Sequence, residues 1–176
     1  MAGVRRPAVF LDRDGVINVD HGYVCSEDRL EWVLGVFEAL SRLKRAGYLL
    51  IVVTNQAGIG RGYYDETALH SFHSLLNDEL TRHGGGIDAF YFCPFHADAS
   101  VARYRHPDHP DRKPNPGMLL QAMHDRPIDP DRSFLIGDKT SDVAAARAAG
   151  VTGYLFEGGN LDDLVRHILD GSAPAS

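Results

Sequence analysis

An α/β fold is what this sequence predicts: a doubly wound parallel sheet with helices on both faces and only a minimal cap. Three observations carry that expectation. Short apolar runs alternate along the chain with stretches of helical apolar spacing, the pattern of successive parallel βαβ units. One run, Tyr48-Leu-Leu-Ile-Val-Val-Thr54, is continuous and β-branched rather than alternating, as a strand covered on both faces must be. Polar residues gather just after several of these runs, where open α/β sheets bind their ligands.

The elements follow in order. Ala8-Val-Phe-Leu-Asp12 reads as a buried strand, and Val36–Ala46 as a helix closed by Gly47, a favourable C-cap. After the strand 48–54 comes a helix over Glu66–His83, stopped by Gly84-Gly-Gly86. Ile87–Phe92 is the third strand, and Pro116–His124 opens a helix after Asn115. Ser133–Gly137 is the fourth strand, followed by an alanine-rich helix over Ser141–Ala149 that ends on Gly150. Thr152–Phe156 and Leu161–Leu169 form the last strand and helix, and Gly171–Ser176 is expected to fray. With no internal repeat and no interdomain linker, residues 1–176 read as one domain. The segment most like an insertion is Ala97–Asp111, polar and rich in His, Pro and Asp.

Bulk properties narrow the function classes. A chain of 176 residues with 44% hydrophobic content suits one domain with a sizeable core. The net charge of −6 argues against a nucleic-acid binder, which would carry a basic face. It leaves a phosphorylated small molecule open, because local cations and a metal can invert the field in a cleft. Cys25 and Cys93 are far apart in sequence, so a disulfide framework is not expected and a reducing compartment is. No signal-type apolar region opens the chain, and no run approaches the ~18 apolar residues of a membrane span. A soluble cytoplasmic monomer without nucleic-acid or membrane partners is the expectation.

The chemistry concentrates in four clusters. Phe10-Leu-Asp-Arg-Asp-Gly-Val16 puts Asp12 and Asp14 at a strand end, where residues i and i+2 project the same way. Two such carboxylates repel unless a divalent cation joins them, and hard oxygens suit Mg²⁺. Alone the pair is weak, since polar loop ends often contain it. Val53-Thr-Asn-Gln56 offers a hydroxyl and two amides as donors to phosphoryl oxygens. Asp111-Arg-Lys-Pro-Asn-Pro116 sets two cations before a helix start, where charge and helix N-terminus could meet an anion. Leu135-Ile-Gly-Asp-Lys-Thr-Ser-Asp142 places Asp138 and Asp142 four apart, able to share one face of a helical turn.

These residues, in this order and each at a strand end, resemble the motif set of the haloacid dehalogenase-like phosphatase superfamily over roughly Ala8–Gly150. The resemblance implies a Rossmann-like core, Mg²⁺ and an aspartyl-phosphate intermediate. In that reading Asp12 attacks phosphorus, and Asp14 protonates the leaving oxygen and then activates water. Thr54 and Lys113 hold the transferred group. The resemblance puts Mg²⁺ on Asp12, the Asp14 carbonyl and Asp138, with Asp142 supporting the metal through water. The alternative is that all four clusters are ordinary loops.

Few residues separate Asp12 from the first helix, too few for a large cap, and they include the polar flap Val16-Ile-Asn-Val-Asp-His-Gly-Tyr-Val24. With Thr54-Asn-Gln-Ala-Gly-Ile-Gly-Arg-Gly62, Arg112-Lys-Pro and Pro116-Gly-Met-Leu, the flap is similar to that of the D-glycero-D-manno-heptose 1,7-bisphosphate phosphatases. These enzymes remove the C7 phosphate on the way to nucleotide-activated heptose for surface polysaccharide. Carried over, Asp20, His21, Gly22, Tyr23, Thr54, Asn55, Gln56, Ala57, Arg112, Lys113 and Lys139 would contact a phosphorylated sugar substrate. Arg61 is added here as a partner of the second phosphate; the alternative is a solvated loop charge. Histidinol-phosphate phosphatases share three of the motifs, and a non-catalytic phosphosugar-binding protein is the reading from another class. The presence of both Asp12 and Asp14 argues against the latter.

One departure stands out. The related enzymes commonly carry structural zinc before Arg-Lys-Pro on Cys-x-His and Cys-x-Cys, whereas this chain has Cys93-Pro-Phe-His96 and then His106-Pro-Asp-His-Pro-Asp-Arg112. Cys93, His96, His106 and His109 could surround a tetrahedral Zn²⁺. A metal-free loop held by Pro107 and Pro110 is the favoured reading. Trp32 and Phe37 read as packing residues, His70 and His73 as surface or satisfied histidines, and Cys25 lacks a base partner that would make it a nucleophile.

Overall fold

The computed structural model describes residues 4–176; the amino-terminal reading made on Met1–Gly3 lies outside them. Five parallel strands, β1 (Ala8–Leu11), β2 (Leu49–Asn55), β3 (Ala89–Cys93), β4 (Phe134–Gly137) and β5 (Thr152–Leu155), form a sheet in the order β3-β2-β1-β4-β5. β1 takes the centre, with Ala8 opposite Leu49 on one side and Val9 opposite Phe134 on the other. Its composition demands that place, since every residue of AVFL is buried. Six of the seven residues of β2 are buried as well, which accounts for the unbroken apolar run in the sequence.

The two-residue period of β1 divides the core. Val9 and Leu11 face one layer, packing with Leu50, Val52 and Ile136 against Leu40 and Leu43 of α1 (Val36–Arg45) and Leu161 and Val165 of α6 (Leu161–Leu169). Ala8 and Phe10 face the other, with Ile51, Val53 and Leu135. There they meet Met118 and Leu119 of α4 (Gly117–Asp125) and Ala145 and Ala146 of α5 (Thr140–Ala148). Each fully buried Leu, Ile or Phe contributes about 1.5–3 kcal/mol relative to exposure. The expected doubly wound α/β sheet with helices on both faces is present.

Two smaller clusters carry the loops. Leu69 of α3 (Glu66–Arg82) packs with Ile59 of the short helix α2 (Ala57–Gly60) and with Tyr104, and Phe72 and Leu76 of α3 pack with Val24 at the end of the flap. α2 has no sequence signal, because its AGIG run gives no apolar period and two glycines oppose helix. Burial of Ile59 and the loop closure after β2 form it. The carboxyl-terminal residues also differ from expectation. Ser172 and Ala173 donate to His167 O at 2.9 and 3.0 Å, and Ser176 N reaches Gly153 O at 2.9 Å, so the segment lies along β5. No helix among the described residues is long and apolar enough to cross a membrane.

In the order β3-β2-β1-β4-β5 the chain winds from β1 to one edge and returns to the opposite side through β4, so the carboxyl ends of β2, β1 and β4 adjoin. Asn55, Asp12 and Asp138 stand at or just past those ends.

Candidate active site

Asp12 follows β1 and is nearly buried. Its Oδ1 accepts from Arg13 N at 2.8 Å and lies 3.1 Å from Lys113 Nζ, which leaves Oδ2 outside both contacts. Burial pushes the Asp12 carboxyl up to about 8 against the pull of Lys113, and Asp142, Asp14 and Asp138 add repulsion. Lys113 is itself buried; burial opposes its charge, but Asp12 and Asp142 outweigh that and hold the ammonium above its usual range. Nζ also donates to Val53 O at 2.8 Å and to Asp142 Oδ1 at 2.5 Å.

Asp142 Oδ2 accepts Lys139 N at 3.0 Å and so caps α5. With one oxygen on Lys113 and the other on the helix start, this carboxylate orients the lysine. Carboxylate oxygens of Asp12, Asp138 and Asp142 lie within 4.8 Å of one another, and among the described residues this is the one group with metal-ligand geometry. Asp138 Oδ1 is buried without a hydrogen-bond partner, and burial raises its carboxyl above the ordinary range. A hard-oxygen cluster with an orphaned oxygen and too little positive charge fits a divalent cation. Gly15 makes the cluster possible: its φ of +89° suits glycine, and a Cβ there would stand 2.2 Å from Asp138 Oδ2.

Asp14 is held from three sides. Arg13 Nη2 and Asn18 Nδ2 donate to its Oδ1 at 2.8 and 3.0 Å, and Gln56 Nε2 donates to Oδ2 at 3.0 Å. Gln56 also donates to Thr54 Oγ1 at 2.8 Å and accepts from Tyr64 at 2.5 Å. Asn55 forms a two-bond clamp on Lys113, accepting its N–H and donating to its C=O, both at 3.0 Å. The amides read from the sequence as donors to a ligand thus hold Asp14 and Lys113. Thr54 is fully buried behind Gln56.

Asp12, Asp14, Asn55, Gln56, Lys113 and Asp142 line a cavity of about 640 Å³, together with Asp20, Gly22, Tyr23, Ala57, Arg61, Arg112 and Lys139. That volume falls within the usual range for small-ligand sites. Lys139 Nζ stands 3.5 Å from Asp20 Oδ2 at the mouth, and Arg112 Nη1 donates to Phe95 O at 3.2 Å. Two of the expected contact residues do not line it: Thr54 is fully buried, and His21 turns away, its Nε2 meeting Glu31 Oε2 at 2.6 Å on the exposed side of the flap.

The reconstructed zinc set is not assembled. Among the described residues, no three of Cys93, His96, His106 and His109 bring ligand atoms within 4.8 Å of one another. The reason is Phe95, whose ring lies on His109 at 3.8 Å and 2°, while His106 stands edge-on to His109 at 5.1 Å. Each imidazole turns Nδ1 to a backbone N–H two residues on: Asp98 at 3.0 Å, Asp108 at 3.1 Å and Asp111 at 3.1 Å. Burial pushes the Cys93 thiol up to about 11.

Sequence reasoning gave no role to Arg13, Asn18 or Tyr64, and it read His73 as a surface or satisfied histidine, whereas His73 is buried with Nδ1 unpartnered. Arg13 had a signal: a long cation between two aspartates at the end of an apolar strand must find partners inside. His73 had none, because its neighbours come from distant parts of the chain.

A family model described as HAD-hyrolase-like matches residues 111–169. The chain is 45% identical over 166 residues to the D-glycero-beta-D-manno-heptose-1,7-bisphosphate 7-phosphatase of Rhodopseudomonas palustris, covering 94% of this chain and 91% of the relative. It is 47% identical over 148 residues to the D-glycero-alpha-D-manno-heptose-1,7-bisphosphate 7-phosphatase of Burkholderia mallei, covering 84% and 78%. The crystal structure of D,D-heptose 1.7-bisphosphate phosphatase from B. bronchiseptica, complexed with magnesium and phosphate, superimposes with a TM-score of 0.75 at 31% identity, covering 96% and 88%. With the Asp12–Lys113–Asp138 cluster at the switch point of such a sheet, the chain belongs to the haloacid dehalogenase-like hydrolases, in the family of the manno-heptose-1,7-bisphosphate 7-phosphatases.

Proposed function

We propose that this chain hydrolyses the C7 phosphate of D-glycero-D-manno-heptose 1,7-bisphosphate, with Asp12 as nucleophile and Asp14 as acid and base. The observation that carries the reading is the pair of aspartates in unlike settings: Asp12 against Lys113 at 3.1 Å, Asp14 gripped by Arg13, Asn18 and Gln56. A carboxylate oxygen of Asp12 forms a bond to phosphorus as the bond from phosphorus to the C7 oxygen breaks. Asp14 gives that oxygen its proton. Water then attacks the acyl phosphate and gives a proton to Asp14, releasing inorganic phosphate and free Asp12. Lys113 holds the transferred group. Asp12, Asp138 and the Asp14 carbonyl would hold Mg²⁺, which supplies positive charge to the cluster and the phosphoryl oxygens when bound. Asp142 acts through Lys113.

Arg61, Arg112 and Lys139 line the same cavity, outside this cluster, and suit a second phosphate. A bisphosphate uses those cations and histidinol phosphate does not, which favours the heptose over the histidinol reading. Phosphate release with Mg²⁺ from both heptose bisphosphate anomers and from histidinol phosphate tests this directly. Either anomer is expected to turn over far faster than histidinol phosphate, and the reverse order refutes the substrate. Asp12→Asn is expected to abolish phosphoenzyme formation, and Asp14→Asn to slow formation and hydrolysis by about 10²–10⁴-fold. Near-native turnover of Asp12→Asn would refute the covalent route.

A further inference from the structure

Arg13 has no exposed surface, although a guanidinium stays charged and carries only donors. Three elements supply partners for its two terminal nitrogens, while Nε is buried without one. Nη2 donates to Asp14 Oδ1 at 2.8 Å and to Val24 O at 2.5 Å, Nη1 lies 3.3 Å from His73 Nε2, and the ring of Phe72 is 5.1 Å below. Because Arg13 can only donate, the His73 nitrogen facing it must be the lone pair, and the ring proton sits on Nδ1. Nδ1 is buried without a partner. Such an orphan costs about 1–3 kcal/mol. An apolar side chain stacked on Phe90, as His73 is at 4.4 Å and 18°, would avoid that cost. The part of His73 with a consequence is therefore Nε2. Burial and the Arg13 charge push the imidazole pKa down to about 3, so the lone pair persists at any working pH.

We infer that His73 is a positioning residue for the reaction: it orients the Arg13 guanidinium, which fixes the Asp14 carboxylate and ties it to the flap at Val24. The inference rests on Asp14 being the acid and base. Only Nη2 reaches Asp14 and Val24, so rotation of the guanidinium plane would loosen both contacts together. His73 holds Nη1 and sets that plane, and α3 thereby bears on a proton transfer it does not touch. Misplacement of a catalytic group by about 1 Å can cost about 10²-fold.

The test compares His73→Leu, His73→Gln and Asp14→Asn, all with Mg²⁺, on a sugar phosphate and on p-nitrophenyl phosphate, whose leaving group needs no proton. Single-turnover rates of phosphoenzyme formation are read alongside KM and thermal midpoints. His73→Leu is expected to slow formation from the sugar phosphate about 10–100-fold with little change in KM. It should slow the p-nitrophenol burst far less. His73→Gln offers an amide oxygen to Arg13 and should recover most of the loss. Equal loss on both substrates, no loss on either, or no advantage of Gln over Leu overturns the inference. Asp14→Asn separates the two levels. If it discriminates between the substrates and His73→Leu does not, the positioning role alone falls. If Asp14→Asn itself fails to discriminate, the acid assignment falls and the inference with it.

Discussion

Replacing Asn55 by Leu removes a clamp while keeping the side chain's shape. Two hydrogen bonds of 3.0 Å disappear, one to Lys113 N–H and one to Lys113 C=O. At about 1 kcal/mol net for each neutral bond, and with water able to reach this half-buried side chain, the stability loss is about 2 kcal/mol. For a chain of this size that lowers the melting temperature by about 4–8 °C. A domain of ordinary stability, about 5–15 kcal/mol, remains folded at 25 °C, so kinetics there report the site. Lys113 then loses the backbone anchor that sets Nζ 3.1 Å from Asp12. A charge-assisted contact contributes about 1.5–3 kcal/mol, which at 1.36 kcal/mol per decade is about 10–100-fold in kcat/KM. Melts at constant Mg²⁺ and a phosphate-release assay read both quantities. A melting loss without a rate loss would show that the clamp stabilises without positioning Lys113, and no change in either would refute the reasoning altogether.

Gly15→Ala places a methyl 2.2 Å from Asp138 Oδ2 at a φ of +89°, so it should expel Asp138 from the acidic cluster. Magnesium titration of activity is expected to need far more metal, and an unchanged requirement would contradict the assignment of Asp138. Asp162 joins α6 to α1 through Arg42 at 2.8 Å and also meets Arg166 at 2.8 Å. The hydrogen bond from Arg42 first, with Arg166 assisting, holds its carboxyl below the ordinary range. A lowered folded pKa means stability that is present above the unfolded value of about 3.9 and is lost as pH falls through the folded value. Asp162→Asn should therefore cost about 2 kcal/mol near neutrality and progressively less below pH about 4. A gap independent of pH in denaturant melts would rule out the ion pair as its source.

The alternation of apolar runs and helical spacing determined the architecture, because a residue buried on both faces of a parallel sheet has to be apolar wherever the chain goes next. Asp12, Asp14, Lys113 and Asp138 were readable for a related reason: each stands where a strand or a loop before a helix ends, and the sheet gathers such ends at its switch point. Their division of labour was not readable. Asn55 and Gln56 present the same amide, yet one grips the Lys113 backbone and the other the Asp14 carboxylate. Side chains one residue apart at a strand end diverge, and only the packed loops decide what each meets. The histidine-rich loop is the sharpest case. Its residue types admitted four zinc ligands, but the stacking of Phe95 on His109 and the turns at Asp98, Asp108 and Asp111 aim the imidazoles elsewhere. Residue identity sets which bonds a side chain can make. Which one it makes depends on neighbours tens of residues away, and for Arg13 and His73, 60 positions apart, only the folded chain brings them within reach.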